Sequence, residues 1–249
     1  MERILEPEIM DNAAGAAAYA RADFSESNQW YVDRLVAEFP GRLGEVVDLG
    51  CGPADVPIRL APAVSESHIT AVDGSLEMLR LAEHAVRSAG FEGRIVLEHT
   101  RIPSRLLPDL SFDAVLSKDM LHHLPDPNVL WNEAKRVVKP SGIICVMDLV
   151  RPGSPEAAMA IVESVTPHEH PLLKQDFYNK SSESVQDTCG SGAVLKGKRC
   201  FTAVLRRHEA GAYESVISLV HLSLILHNAI HEIPEALDQE RPALPESVR

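Results

Sequence analysis

Basic residues, closely paired cysteines and long apolar runs are what this sequence has least of. Lys and Arg total 24 against 36 Asp and Glu, a formal net charge of −12. Contact along a nucleic-acid backbone needs clustered Lys and Arg, so the charge balance argues against a broad nucleic-acid surface and leaves a local basic pocket open. The four cysteines, Cys51, Cys145, Cys189 and Cys200, include no CxxC pair. That removes the usual zinc spacing, predicts no metal, and reads as the reduced thiols of a cytoplasmic protein. The N-terminus, Met-Glu-Arg-Ile-Leu-Glu-Pro, carries acids and no apolar stretch, unlike a signal peptide. The longest apolar run, residues 216–226, is shorter than the ~20 residues that span a bilayer. The expected protein is a monomer or homodimer with a small-molecule substrate and no membrane or nucleic-acid partner.

What is present is an ordinary globular composition. Of 249 residues, 45 % are apolar and 24 % charged, enough for one large α/β domain or a core with an appendage. Residues 11–22 are alanine-rich and read as a helix. A stronger helix covers 26–39, where Trp30, Val32, Leu35, Val36 and Phe39 recur at helical spacing, with Ser27 as its expected cap and Pro40-Gly41 as its stop. Apolar strands at 45–49, 69–72, 94–98, 112–117 and 143–149 then alternate with helices near 57–64, 75–89 and 125–138, with a loop and short helix at 118–124. Ser75 is the expected cap of the second of these helices. This alternation predicts a doubly wound, mostly parallel sheet with helices on both faces. Three segments follow: a helical arm at 1–40, a core at 41–180, and a divergent segment at 181–249 of irregular structure.

The chemistry concentrates where the first strand meets its helix, Val-Val-Asp48-Leu-Gly50-Cys51-Gly52-Pro-Ala-Asp55. Gly50 and Gly52 let the backbone approach a ligand closely, and the following helix is expected to offer free N–H groups. A Gly-x-Gly alone is weak evidence. Here Asp48 precedes it, and Asp73 ends the next strand 21 positions after Gly52, where an acid suits a ribose diol. The pattern describes a nucleoside crevice at the carboxyl edge of the sheet. A dinucleotide turn would carry a third glycine at position 55. Asp55 would repel a pyrophosphate but not a ligand bearing an ammonium and a sulfonium.

Four stretches carry a family resemblance over about residues 26–150. Val-Val-Asp48-Leu-Gly50-Cys-Gly52, Ile-Thr-Ala-Val-Asp73-Gly-Ser75-Leu-Glu-Met78-Leu, Phe112-Asp113 through His122-His123-Leu-Pro-Asp126-Pro, and Glu133 through Pro140-Ser-Gly142-Ile-Ile resemble, in order and spacing, the motifs of class I S-adenosylmethionine-dependent methyltransferases of the small-molecule type. The resemblance implies a Rossmann-like fold and S-adenosyl-L-methionine as cofactor. It implies that Asp48, Gly50, Cys51 and Gly52 surround the cofactor's methionine part, that Asp73 accepts the ribose hydroxyls with Gly74 and Ser75 alongside, and that Met78 packs on adenine or in the core. Ser117 and Lys118 would line the reactive end through backbone atoms. Many relatives place an acid after strand three against the adenine amine; here that place holds Thr100 and Arg101. Tyr19 and Arg21 of the arm are candidates to close over the cofactor, Arg21 gripping its carboxylate or standing as an exposed helix charge.

The implied reaction is in-line methyl transfer to an O, N or C nucleophile of a small molecule, for which His122, His123 and Asp119 are the candidate proton acceptors. The histidine pair also reads as helix-start structure, and Asp119 as a cap. Two other readings stay open: a non-catalytic S-adenosylmethionine-binding protein and, behind it, a nicotinamide-dependent oxidoreductase. Methyltransferases of this fold close the sheet with an antiparallel pair after strand five. Beyond residue 180 no strand pair stands out, though residues 200–205 suit a strand and residues 213–232 suit a helix or a strand. A shifted reading frame is one account of that loss of pattern.

Overall fold

The computed structural model describes residues 11–41, 43–149, 154–165, 192–195, 198–207 and 213–215, all within one unit, residues 1–217. Five parallel strands form the centre: β1 Glu45–Leu49, β2 His68–Asp73, β3 Ile95–His99, β4 Phe112–Lys118 and β5 Val138–Leu149. The spatial order is β3-β2-β1-β4-β5. The chain therefore winds outward from β1 in one direction and then returns to its other side, leaving a crevice at the carboxyl ends of β1 and β4 where such sheets bind ligands.

The strands lie where apolar runs predict them because both faces are covered. On one face Val46, Ala114, Leu116, Ile143 and Cys145 pack with Tyr31, Val32 and Leu35 of α2 (Ser25–Glu38), Leu60 of α3 (Asp55–Ala63), and Leu79 and Val86 of α4 (Leu76–Ala89). On the other, Val47, Leu49, Val115 and Ile144 pack with Leu130, Ala134 and Val137 of α5 (Asn128–Val137). Each fully buried aliphatic side chain stabilises the fold by about 1.5–3 kcal/mol. Tyr31 adds a directional tie, its hydroxyl donating to the Cys145 carbonyl at 2.6 Å.

Ser75 caps α4 as expected, accepting from the Met78 N–H at 3.1 Å. The expected cap at Ser27 is corrected: α2 begins at Ser25, and the Asp23 carboxylate accepts the Ser25 N–H at 3.0 Å. Ser27 instead donates to the Phe24 carbonyl at 3.1 Å. A further helix, α1 (Ala13–Arg21), precedes α2, and α6 (Pro155–Val165) follows β5.

The expected irregularity beyond residue 180 is also corrected in part. Residues 192–207 hold two antiparallel strands, β6 (Gly192–Leu195) and β7 (Lys198–Arg207), and β7 adds to β5 from Ile143↔Arg206 to Leu149↔Cys200. A short β8 (Tyr213–Ser215) pairs with β7. A four-residue strand and a strand with basic ends give little periodic signal. Of the candidate segment 213–232, residues 216–232 lie outside the described residues. No helix among the described residues is long and apolar enough to cross a membrane.

Candidate functional site

The β1–α3 turn is built by left-handed glycines and pinned to β2. Gly50 and Gly52 have φ of 79° and 53°, a region that favours residues without a Cβ. The Gly50 and Cys51 amides both donate to the Val72 carbonyl, at 2.8 and 2.9 Å. The Gly52 amide donates to Asp73 Oδ2 at 2.8 Å, and the Ser75 amide to Asp73 Oδ1 at 2.8 Å. The amides of residues 50, 51 and 52 are therefore engaged within the turn and with β2. The two glycines also differ. A Cβ on Gly50 would fall 2.6 Å from Met120 Cγ, whereas one on Gly52 would find nothing nearer than Tyr19 Cε1 at 4.0 Å. Gly50 is bare for packing, and Gly52 is bare toward open space.

That space is a cavity of about 730 Å³ along the carboxyl edge of the sheet, within the usual range for small-molecule sites. Its floor runs from Lys118 at the end of β4 and Asp119 after it, past Asp48 on β1 and the glycine turn, past Asp73 at the end of β2 with Gly74 and Ser75, to Thr100 and Arg101 after β3. Met78 of α4 lines it, and Tyr19, Phe24 and Asn28 of the arm face it from the other side.

Two carboxylates dominate the floor. Asp48 is 2 % exposed, and its Oδ1 is buried without a hydrogen-bond partner. Burial, then the charge of Asp73, push its pKa up to about 7, with Lys118 opposing. Burial also raises the Asp73 pKa, while the amides of Ser75, Gly52 and Gly74 and the nearby His99 oppose that by stabilising its anion. Lys118 Nζ forms an ion pair with Asp119 Oδ2. Burial lifts the Cys51 thiol well above its ordinary value, so Cys51 lines the cavity as a neutral group.

Three candidates fall elsewhere. Arg21 is exposed, its Nε donating to the Ala17 carbonyl at 3.0 Å, and it does not line the cavity. Ser117 is buried, with its hydroxyl donating to the Leu49 carbonyl at 2.9 Å, because strand alternation turns it toward the opposite face from Lys118. His122 is fully buried, its Nδ1 2.6 Å from Asp148 Oδ1, while its neighbour His123 lines the cavity. Asp119 is not a cap: the 3₁₀ turn Leu121–His123 is preceded by Met120 and has no side-chain cap bond.

The charge argument at position 55 also changes. Asp55 Oδ2 accepts from Asn28 Nδ2 at 2.6 Å and Arg59 Nε at 2.8 Å. Its charge is compensated, and its role is to fasten α2 against the glycine turn. Asn28 gave no sequence signal as a cavity residue, nor did Met120. Asp148 did give one, an acid inside the apolar run Ile-Ile-Cys-Val-Met-Asp-Leu. Its Oδ2 accepts the Leu121 N–H at 2.6 Å, with the His122 N–H at 3.3 Å, so it braces the turn that presents His123.

Residues 47–146 match a family model described as a methyltransferase domain. Among curated relatives, 27-O-demethylrifamycin SV methyltransferase of Amycolatopsis mediterranei is 31 % identical over 145 residues, covering 58 % of this chain and 53 % of the relative. Demethylmenaquinone methyltransferase of Anoxybacillus flavithermus is 34 % identical over 109 residues, covering 43 % of this chain and 46 % of the relative. The chain spans about half the length of the curated relatives it matches. In fold it is similar to a SAM-dependent methyltransferase from Aquifex aeolicus, with TM-score 0.56 and 18 % identity over 83 % of this chain and 99 % of that one. A protein from Methanococcus maripaludis described as a candidate of the same class gives TM-score 0.58 and 18 % identity over 87 % of this chain and all of the other.

Proposed function

We propose that the protein is a class I S-adenosylmethionine-dependent methyltransferase, in keeping with the methyltransferase-domain match over residues 47–146, and that it transfers a methyl group to an oxygen, nitrogen or carbon atom of a small-molecule acceptor. The observation that carries this reading is the pair of carboxylates beside Gly52. Asp48 Oδ1 is buried and unpartnered, and Asp73 lines the same cavity.

These residues fit the family's cofactor. Its ammonium suits the Asp48 carboxylate, its ribose diol suits Asp73, and its net positive charge suits a floor with two buried acids. Met78, Thr100 and Arg101 line the end beyond Asp73 and would meet the base. When bound, S-adenosylmethionine supplies a methyl group on a positively charged sulfur, which is already activated for displacement. The chain therefore has mainly to align the acceptor and exclude water, and alignment is worth up to about 7–11 kcal/mol of barrier. Tyr19 and Phe24, in tilted contact with ring centroids 4.9 Å apart, form the wall of the arm that shields the cavity. Of the three candidate proton acceptors, His122 is bound to Asp148 off the cavity, and a carboxylate such as Asp119 is a weaker base than an imidazole. His123 is the group assigned to receive the proton of an O–H or N–H acceptor.

Titration calorimetry with S-adenosylmethionine, followed by assay of S-adenosylhomocysteine release, tests this. The acceptor panel begins with 27-O-demethylrifamycin SV and demethylmenaquinone, the compounds in the relatives' names. Saturable binding and acceptor-dependent release support the reading. Binding of NADH in preference to S-adenosylmethionine would overturn it, and binding with no release across the panel would favour a non-catalytic role.

A further inference from the structure

Lys118 ends β4 with its side chain only 6 % exposed. An ammonium so far withdrawn from water is tolerated only when paired, and Asp119 is its partner. The sheet register sets Asp48 opposite Leu116. Side chains on paired strands alternate together, so Lys118, two residues beyond Leu116, belongs to the same face as Asp48. Both line the cavity on the β4 side of Asp73.

The guanidinium groups that line the cavity are placed differently from this ammonium. Arg59 is bound to Asp55 and Gln29, and Arg101 follows β3 at the far end of the floor. Arg21 is outside it. The floor near Asp48 thus presents one unpartnered carboxylate oxygen beside one ammonium, the complement of a zwitterionic α-amino acid.

We propose that Lys118 is the carboxylate anchor of the site: it exchanges its ion pair with Asp119 for one with the carboxylate of the cofactor's amino-acid end, while Asp48 takes the adjacent ammonium. This rests on the reading that an adenosyl amino acid occupies the cavity. The exchange leaves no unpaired ammonium at any stage, and Asp119, at 21 % side-chain exposure, retains access to water when Lys118 turns away. A chain that selects its cofactor this way discriminates by carboxylate, independently of how it reads the sugar and base.

The test is titration calorimetry with two probes, S-adenosylhomocysteine, which carries the zwitterion, and 5′-methylthioadenosine, which lacks it. Lys118→Met weakens S-adenosylhomocysteine binding about 10- to 100-fold, the loss expected for one hydrogen bond to a charged group. It leaves 5′-methylthioadenosine unchanged, and Lys118→Arg retains most of the affinity. The double variant Lys118→Met/Asp119→Asn, which strands no charge, gives the same pattern. Equal losses for both probes would show a merely structural lysine and overturn the proposal, as would S-adenosylhomocysteine binding indifferent to Lys118→Met. Wild-type protein that binds neither probe would overturn the adenosyl reading itself, and this inference with it.

Discussion

The Asp73 carboxylate accepts the Gly52 amide at 2.8 Å, joining the end of the second strand to the turn that follows the first. Its other oxygen accepts the Ser75 amide at the start of α4. One side chain therefore holds two ligand-facing loops in register and presents its charge to the cavity between them. The same contacts stabilise the anion, which is the form that accepts hydrogen bonds from two hydroxyls.

With the cofactor's ammonium on Asp48, as proposed, binding is expected to be pH-dependent. Its pKa stands near 7, above the value of about 3.9 in an unfolded chain. The proton is therefore bound more tightly in the folded state. The stability this contributes is fully present below pH 4 and is lost as pH rises through 7, by at most about 4 kcal/mol. Asp48→Asn is accordingly more stable than wild type at pH 8 in urea unfolding, and the advantage shrinks toward pH 4. An ammonium on Asp48 requires the carboxylate, so S-adenosylmethionine affinity rises between pH 5.5 and 7.5. Calorimetry in two buffers of different ionisation enthalpy detects the released proton, and Asp48→Asn abolishes it.

The two histidines separate by their neighbours. Asp148→Ala strands the Leu121 amide and His122 Nδ1 in the core, so it destabilises by about 3 kcal/mol, read as a lowered denaturant midpoint. His123→Ala removes a cavity-wall group and lowers kcat about 10²-fold or more with little change in midpoint. The pH profile of the residual activity loses its acid limb when the acceptor is an O–H or N–H compound.

The two turn glycines fail in different ways. Gly50→Ala combines a left-handed φ with a Cβ 2.6 Å from Met120, and destabilises by about 2–4 kcal/mol. Gly52→Ala meets only the backbone cost of about 1–2 kcal/mol, but its Cβ projects into the cavity and weakens S-adenosylhomocysteine binding at least tenfold. Thermal melts and calorimetry on the same two variants resolve the contrast.

The parallel core was legible because its signals are local. Val46 and Val47 are buried together in a strand covered on both faces, Ser75 caps the helix that follows β2, and Asp73 stands at the right remove from Gly52. Most of what escaped depends on partners distant in sequence. Asp55 looked like an electrostatic filter until Asn28, 27 residues earlier, and Arg59 were found on it. His122 and His123 are adjacent in sequence, and only the pairing with Asp148 on β5 decides which is structural. Arg21 has the right chemistry for a carboxylate but turns back onto its own helix. Residues 200–205 read as a strand and fall within β7, but its pairing with β5 and with the four-residue β6 leaves no periodic trace in the sequence.

The most direct measurement is titration of S-adenosylhomocysteine into wild-type protein and Asp73→Ala, with folding of both checked by circular dichroism. Removing the acceptor of two ribose hydroxyls weakens binding by about 100-fold or more. Equal affinity in the two proteins would contradict the assignment of this cavity to an adenosyl cofactor.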